Sequence, residues 1–286
     1  MSENILALIR SKTPDMSKGH KRIAEYITEN FGKAAYMTAA KLGEETNVSE
    51  STVVRFAAIL GFEGYPELGQ ALREYTGSKL TSVERISVMN EQVGEDEVYD
   101  KILNMDIDKL KKTLENGSRE DFYGAAENLC NSDNIYVIGA RSAAVLARYA
   151  SFYLTMMFDS VRLIHTTSTS EMFEQIMNIG ERDLIIGMSF PRYSSLTVKA
   201  LRYARDRGAK VVALTDSRTS PLAEYADNLL IAKNNLTSFA DSLVAPMSVL
   251  NALIVAVGMK KQDYVKQNLS RLEEIYDRYE VFEKRS

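Results

Sequence analysis

The chain has 286 residues, 45% of them hydrophobic and 26% charged, with a formal net charge of −4; this is the composition of one large or two moderate soluble domains. It holds one cysteine, Cys130, and two histidines, His20 and His165, so no intrachain disulfide can form, and neither a zinc site nor a Ser-His-Asp relay is expected. No apolar run is long enough to span a bilayer and the opening MSENILALIRSK lacks a signal-peptide pattern, so the expected location is a reducing cytoplasm, with no membrane partner.

Residues 1–77 read as an all-α domain. SKGHKRIAEYITENF puts Ile23, Tyr26, Ile27 and Phe31 on one helical face, with Ser17 as N-cap. In TAAKLGEETNVSESTVVRFAAILGF, Thr38 caps a helix that packs through Ala39 or Ala40 and Leu42. Asn47 stands where a tight turn needs a residue tolerant of positive φ, and Val48 plugs that turn. Ser49 caps a second helix whose Val53, Phe56 or Ala57, and Leu60 point inward, and Gly61 ends it. Two helices at this spacing fit a helix-turn-helix, a motif in which the start of the second helix faces base edges in double-stranded DNA. Ser49, Ser51, Thr52 and Arg55 are then the candidate readers, because hydroxyls bond bases or phosphates and Arg pairs with guanine O6 and N7. The plainer alternative is a helical hairpin with capping hydroxyls. The domain is not basic overall, with nine Lys/Arg against ten Asp/Glu, but Arg10, Lys12, Lys18, Lys21 and Arg22 face only Asp15 in their stretch. Lys18 and Lys21 are therefore candidate phosphate contacts.

Residues 78–116 are polar and then helical, with Val98, Ile102, Met105 and Leu110 as an amphipathic stripe, and read as a helical connector. From 117 to 286 the period changes. NIYVIG, VRLIH, DLIIGMSF, KVVALTD and NLLIA are short apolar runs separated mostly by helical patterns at 142–158, 170–178 and 194–207. The expected fold is therefore α/β: a helical N-terminal domain followed by a doubly wound parallel sheet covered on both faces. Cys130 reads as a small core residue. The 241–259 segment is apolar enough for a buried helix. Val265, Leu269, Leu272, Tyr276 and Tyr279 make a heptad-like stripe expected to pack on its own domain.

Two strand-to-helix junctions carry polar chemistry. In NIYVIGARSAAVLARYASFYL, Gly139 allows a tight turn, and Ser142 falls at a helix start, where its hydroxyl and free backbone amides can meet an anion, with Arg141 as a candidate cation. In DLIIGMSFPRYSSLTVKAL, Ser189, Arg192, Tyr193, Ser194 and Ser195 lie between a strand and the next helix. Hydroxyls, helix N-termini and an Arg at the carboxyl ends of parallel strands suit a phosphate dianion. A catalytic set is not evident. His165 ends a strand but reads as a packed or backbone-bonded residue, and Glu171, Glu174 and Glu224 read as helix-surface charges.

The run from Met37 through Leu68, with VSESTVVRF followed by LGFEGYPEL, resembles the N-terminal domain of the RpiR family. Those bacterial regulators pair a helix-turn-helix with a sugar isomerase-type (SIS) domain, and the second half of the chain, including ALTDSRTSPLAEYAD, is similar too. The resemblance implies a regulator of carbohydrate metabolism, a homodimer or homotetramer on a pseudo-palindromic operator, with no catalytic residue, metal or cofactor. It implies a phosphosugar effector at these two loops, held through Ser142, Ser189 and Ser194, to which this chain's own residues add Tyr193 and the candidate cations Arg141 and Arg192. A sugar-phosphate isomerase or etherase with an accessory N-terminal domain, and a SIS scaffold for partner proteins, are the alternatives. Two departures stand out. Gly43 replaces a common Ala, at a cost of about 1 kcal/mol of helix propensity. In the second loop the usual Ser-x-Ser-Gly-x-Ser/Thr keeps Ser189 and Ser194 but has Pro191 and Arg192 in place of the middle Ser-Gly pair.

Overall fold

The computed structural model describes residues 5–77, 86, 97–234 and 240–282. The chain divides into a first unit up to Asn104 and a second from Met105 to Asn234 and from Ser242 onward.

The first unit is helical: α1 (Ile5–Lys12), a 3-10 turn (Thr13–Asp15), α2 (Lys18–Glu29), α3 (Phe31–Ala34), α4 (Ala39–Thr46), α5 (Glu50–Ile59) and α6 (Tyr65–Gly77). Caps set the starts of α2 and α4, since Ser17 accepts from the His20 amide and Thr38 from the Lys41 amide. Ile9, Ile23, Ile27, Leu42, Phe56, Leu68 and Leu72 are fully buried and form its core. Asn30 leaves helical backbone at φ −125°, so α2 stops at Glu29 and Phe31 belongs to α3 rather than to the predicted α2 face.

Helix α7 (Val98–Asn116) covers the described part of the predicted connector; residues 78–85 and 87–96 lie outside the described residues. The second unit begins at 105, ahead of the predicted boundary at 117, because the second half of α7 is packed into it. Lys109 is buried and paired with Asp106 at 3.0 Å, Ser242 donates to the same carboxylate at 2.7 Å, and the Thr113 hydroxyl accepts from the Lys233 amide at 2.9 Å.

The second unit is built on five parallel strands, β1 (Ile135–Gly139), β2 (Val161–Ile164), β3 (Leu184–Met188), β4 (Lys210–Thr215) and β5 (Asn228–Ile231), in the order β2-β1-β3-β4-β5. Around them lie α8 (Arg119–Cys130), α9 (Ala143–Leu154), α10 (Thr169–Ile176), α11 (Ser195–Asp206), α12 (Val244–Lys260) and α13 (Gln262–Arg278). Successive side chains of a strand point to opposite faces, and both faces are buried. Ile135 and Val137 of β1 join Leu146, Leu250 and Leu253 from α9 and α12, while Tyr136 and Ile138 join Met172, Ile176 and Leu201 from α10 and α11. This is the doubly wound sheet that the unbroken apolar runs imply.

Two C-terminal expectations are corrected. Helix α12 buries Ala245, Leu250, Leu253 and Val257 but leaves Val255 and Met259 exposed, so it is a covering helix with one bare side. Helix α13 leaves α12 at 99° and has no buried residue. Its first half meets the unit: Val265 packs against the core, Asn268 Nδ2 donates to the Met156 carbonyl at 3.2 Å, and Lys261 Nζ, just ahead of the helix, lies 3.9 Å from the Phe158 ring centroid. The sheet face beneath is already covered by α8, α9 and α12, so the stripe from Leu269 to Tyr279 finds no place on it. Among the described residues, no single helix is long and apolar enough to cross a membrane.

Candidate functional site

In the first unit, α4 and α5 are joined by a turn in which Asn47 adopts φ 51°, ψ 51°, the left-handed conformation that its amide side chain tolerates. The turn is tight. A Cβ added at Gly43 would lie 2.9 Å from the Val48 carbonyl oxygen, so the bare residue in α4 is what allows α5 to approach. Val53, Phe56 and Ala57 anchor α5 in the core, and the Phe62 amide closes its end on the Ala57 carbonyl.

Ser49, Ser51 and Arg55 are exposed, and Thr52 is half-buried. Ser49 precedes the helix without capping it through its side chain; its hydroxyl lies 2.9 Å from Ser51 Oγ and 2.8 Å from Thr52 Oγ1. Arg55 folds back along α5, its Nε donating to the Ser51 carbonyl at 3.2 Å. Three hydroxyls and a guanidinium thus form one polar cluster at the start of α5. The start of α2 lies beside it, since a Cβ at Gly19 would sit 3.5 Å from Val48 and 3.7 Å from Thr52. Lys18 and Lys21, on the first turn of α2, therefore flank the same end of the unit. Val54 is also exposed on α5 and was passed over in the sequence, where Val reads as core; an apolar side chain there has the chemistry to meet a thymine methyl.

In the second unit, β1 and β3 are neighbours, with Gly139 opposite Met188. The chain leaves β1 through α9 toward β2 on one side and leaves β3 through α11 toward β4 on the other. The carboxyl ends of β1 and β3 are therefore the point where strand order reverses, the crevice in which open α/β sheets take their ligands. Ala140–Ser142 and Ser189–Ser194 emerge side by side there.

Two loop residues hold left-handed backbone, Arg141 at φ 58° and Arg192 at φ 66°. An L-residue pays roughly 1–2 kcal/mol for that conformation, and such strain concentrates at functional positions. Both arginines are exposed. Gly139 has a different role from the predicted one: an added Cβ would lie 2.4 Å from the Ala143 carbonyl oxygen, so the glycine lets α9 close onto β1 while Arg141 makes the turn. The amides at the start of α9 are not free, either. Those of Ala143, Ala144 and Val145 donate to the carbonyls of Ala140, Arg141 and Ser142. Anion contacts from this loop would thus rest on side chains; Ser142 is exposed and makes no capping bond.

The second loop is stapled from within. Ser189 is buried and its hydroxyl accepts from the Ser194 amide at 2.9 Å, while Ser194 caps α11 by accepting from the Thr197 amide. Tyr193 turns inward and donates to Asp216 Oδ1 at 2.8 Å. Burial, and then the Asp216 charge, push the Tyr193 phenol well above its usual range. Burial likewise raises the Asp216 carboxyl, against hydrogen bonds from Tyr193 and Thr215 that lower it. The Thr215 hydroxyl lies 2.8 Å from both the Ser189 carbonyl and the Ser220 hydroxyl. Asp216, Thr215 and Ser220 were not singled out in the sequence, although ALTDSRTSPLAEYAD places polar residues directly after a strand.

His165 is exposed and its backbone amide donates to Gln175; Glu171 accepts from Thr166, and Glu174 and Glu224 are exposed. Burial raises the Cys130 thiol, the opposite of a reactive cysteine. A separate cavity of about 450 Å³ lies between α7, α8, β5 and α12, but Leu110, Leu114, Phe122, Leu230 and Val249 make it apolar, unlike the polar crevice at β1 and β3.

The helix-turn-helix domain of the rpiR family matches residues 3–79, and the SIS domain matches residues 128–256. An uncharacterized HTH-type transcriptional regulator of Caldanaerobacter subterraneus is 24% identical over 278 residues, covering 95% of this chain and 96% of its own. The HTH-type transcriptional regulator HexR of Pseudomonas aeruginosa is 25% identical over 276 residues, 95% of each chain. Among solved structures, the sugar isomerase domain of an RpiR transcription factor from Sphaerobacter thermophilus superposes with a TM-score of 0.59 at 27% identity, covering 62% of this chain and 99% of that one. The Vibrio vulnificus NanR protein complexed with ManNAc-6P gives a TM-score of 0.59 at 23% identity, covering 96% and 98%.

Proposed function

Because the chain belongs to the rpiR family of helix-turn-helix proteins with a SIS domain, we propose that it is a cytoplasmic transcriptional regulator of carbohydrate metabolism whose second unit senses a phosphosugar. The start of α5 enters the major groove, with Ser49, Ser51, Thr52 and Arg55 toward bases and phosphates and Lys18 and Lys21 on the flanking backbone. Arg141, Ser142, Arg192 and Ser194 receive the effector's phosphate between β1 and β3, with Ser189 and Tyr193 holding the loop in place. The observation that carries the sensing reading is the pair of strained, exposed arginines at the point where strand order reverses. NanR, which shares the fold, was solved with a phosphosugar. The protein works as a homodimer or homotetramer on a pseudo-palindromic operator, and the effector shifts DNA affinity through its different affinities for two states. It does not catalyse turnover. His165, Glu171, Glu174 and Glu224 are exposed, and none belongs to the two loops at the β1–β3 crevice where a general acid or base would have to stand.

Thermal-shift screening against phosphosugars and amino-sugar phosphates tests the sensing reading. A ligand at a hundredfold excess over Kd stabilises the native state by about 2.7 kcal/mol. No shift with any phosphorylated sugar, alongside normal operator binding, would remove the effector class.

A further inference from the structure

The outward side of α5 carries a second kind of chemistry beside its hydroxyls and guanidinium. On a helix, positions i, i+3, i+4 and i+7 share one face, so Ser51, Val54, Arg55 and Ala58 line up opposite the buried Val53, Phe56 and Ala57. Val54 is 42% exposed and lies outside the core of the first unit. It stands beside Arg55, whose Nε and Nη2 reach back to the Ser51 carbonyl and hydroxyl at 3.2 and 3.5 Å. Ile59 is exposed to the same degree, at 43%. It sits five positions on, about 7.5 Å further along the axis and on another side of the helix. Among the described residues, Val54 is thus the one exposed large apolar side chain at the polar start of α5.

We propose that Val54 is a specificity-determining residue that packs against the C5-methyl group of a thymine in each half-site of the operator. The inference rests on the regulatory reading above, in which the start of α5 enters the major groove. A single exposed valine is ordinary on a protein surface; its company decides the matter here. Ser49, Ser51, Thr52 and Arg55 can pair with the hydrogen-bonding edges of bases or with phosphates, whereas an isopropyl group can pair with neither. In the major groove all four bases present donors or acceptors, and thymine alone adds a methyl group. The valine is also ready for such a contact. Its branched side chain holds one main rotamer in a helix, so docking a methyl group on it orders little that was free. Contact removes water from both groups, and burying one methyl is worth about fourfold in affinity. Hydrogen bonding at the α5 start therefore accounts for part of the sequence preference, and a thymine chosen for its methyl group accounts for another part.

The test begins with a duplex selected by the full chain from a random-sequence pool. Each thymine of that duplex is replaced in turn by deoxyuridine, which deletes the methyl group and keeps every hydrogen-bonding group. Affinity is then read by fluorescence anisotropy for wild type and Val54→Ala. Wild type is expected to lose about fourfold at one thymine per half-site, and about 15-fold when the two symmetric positions are replaced together. Val54→Ala, with circular dichroism melting as the folding control, should bind the unmodified duplex more weakly by a similar factor. It should lose little further when uridine stands at those positions. Uridine tolerated by wild type at every position overturns the inference without recourse to any variant. A uridine loss as large in Val54→Ala as in wild type overturns it too. A protein that selects no sequence removes the regulatory reading and the inference with it, whereas a selected duplex indifferent to the methyl group removes the inference alone.

Discussion

Arg192 stands where the loop pattern implied by the SIS resemblance has glycine, and it does so at φ 66°. Replacing it by Gly and by Ala separates its two effects. Both changes remove the guanidinium and whatever it contacts. Only Gly also relieves the left-handed strain of roughly 1–2 kcal/mol, returning about 0.5–1 kcal/mol through the greater freedom of the unfolded chain. Arg192→Gly should therefore be more stable than Arg192→Ala by about 1 kcal/mol, or roughly 2–4 °C in Tm for a unit of this size. Effector affinity should fall equally in both. Loss of a charge-assisted hydrogen bond costs about 1.5–3 kcal/mol, or roughly tenfold to over a hundredfold in Kd. Scanning calorimetry gives the first quantity, and titration calorimetry with the best phosphosugar from the screen gives the second. Equal Tm values for the two variants would refute the strain argument. Wild-type affinity in both would take Arg192 out of the anion site, and a large affinity gap between them would mean that loop shape matters more than charge.

Ser194→Ala should weaken the effector less than either Arg192 variant, by about 0.5–1.5 kcal/mol, measured in the same titrations. Arg55→Ala should weaken binding to a selected operator by about 1–3 kcal/mol without changing the melting curve, because Arg55 is exposed and supports no core contact; gel-shift affinities decide, and unchanged binding excludes it from the reading surface. Asp216 has its carboxyl raised above the unfolded value, so its contribution to stability is full below the ordinary carboxylate range near 4 and is lost as pH rises through the higher folded value. Asp216→Asn, whose amide oxygen can still accept from Tyr193, should gain Tm relative to wild type as pH increases from about 4 to neutrality. Parallel curves for the two proteins would show that the carboxyl carries no such penalty. Gly43→Ala should destabilise the first unit by about 1–3 kcal/mol despite its better helix propensity, as followed by denaturant unfolding; a gain in stability would mean that the α4–α5 turn opens freely.

What local chemistry dictates was legible in the residues. Ser17 and Thr38 cap the helices they precede, Asn47 takes left-handed backbone in the tight turn, and the five apolar runs are five parallel strands. Each of these depends on neighbours a few positions away, so a short window contains its cause. Tertiary structure decided the rest, because the cause there lies in what packs from afar. Leu269 and Tyr279 repeat like a core stripe, but whether such a stripe is buried depends on free sheet surface, and α8, α9 and α12 had already taken it. Val255 and Met259 read as core for the same reason and emerge on a bare face. Tyr193 reads as a loop aromatic until β4 brings Asp216 within 2.8 Å of its hydroxyl. That Arg141 and Arg192, 51 positions apart in the chain, flank one crevice follows only from the adjacency of β1 and β3, a pairing set by sheet order and invisible to any local pattern.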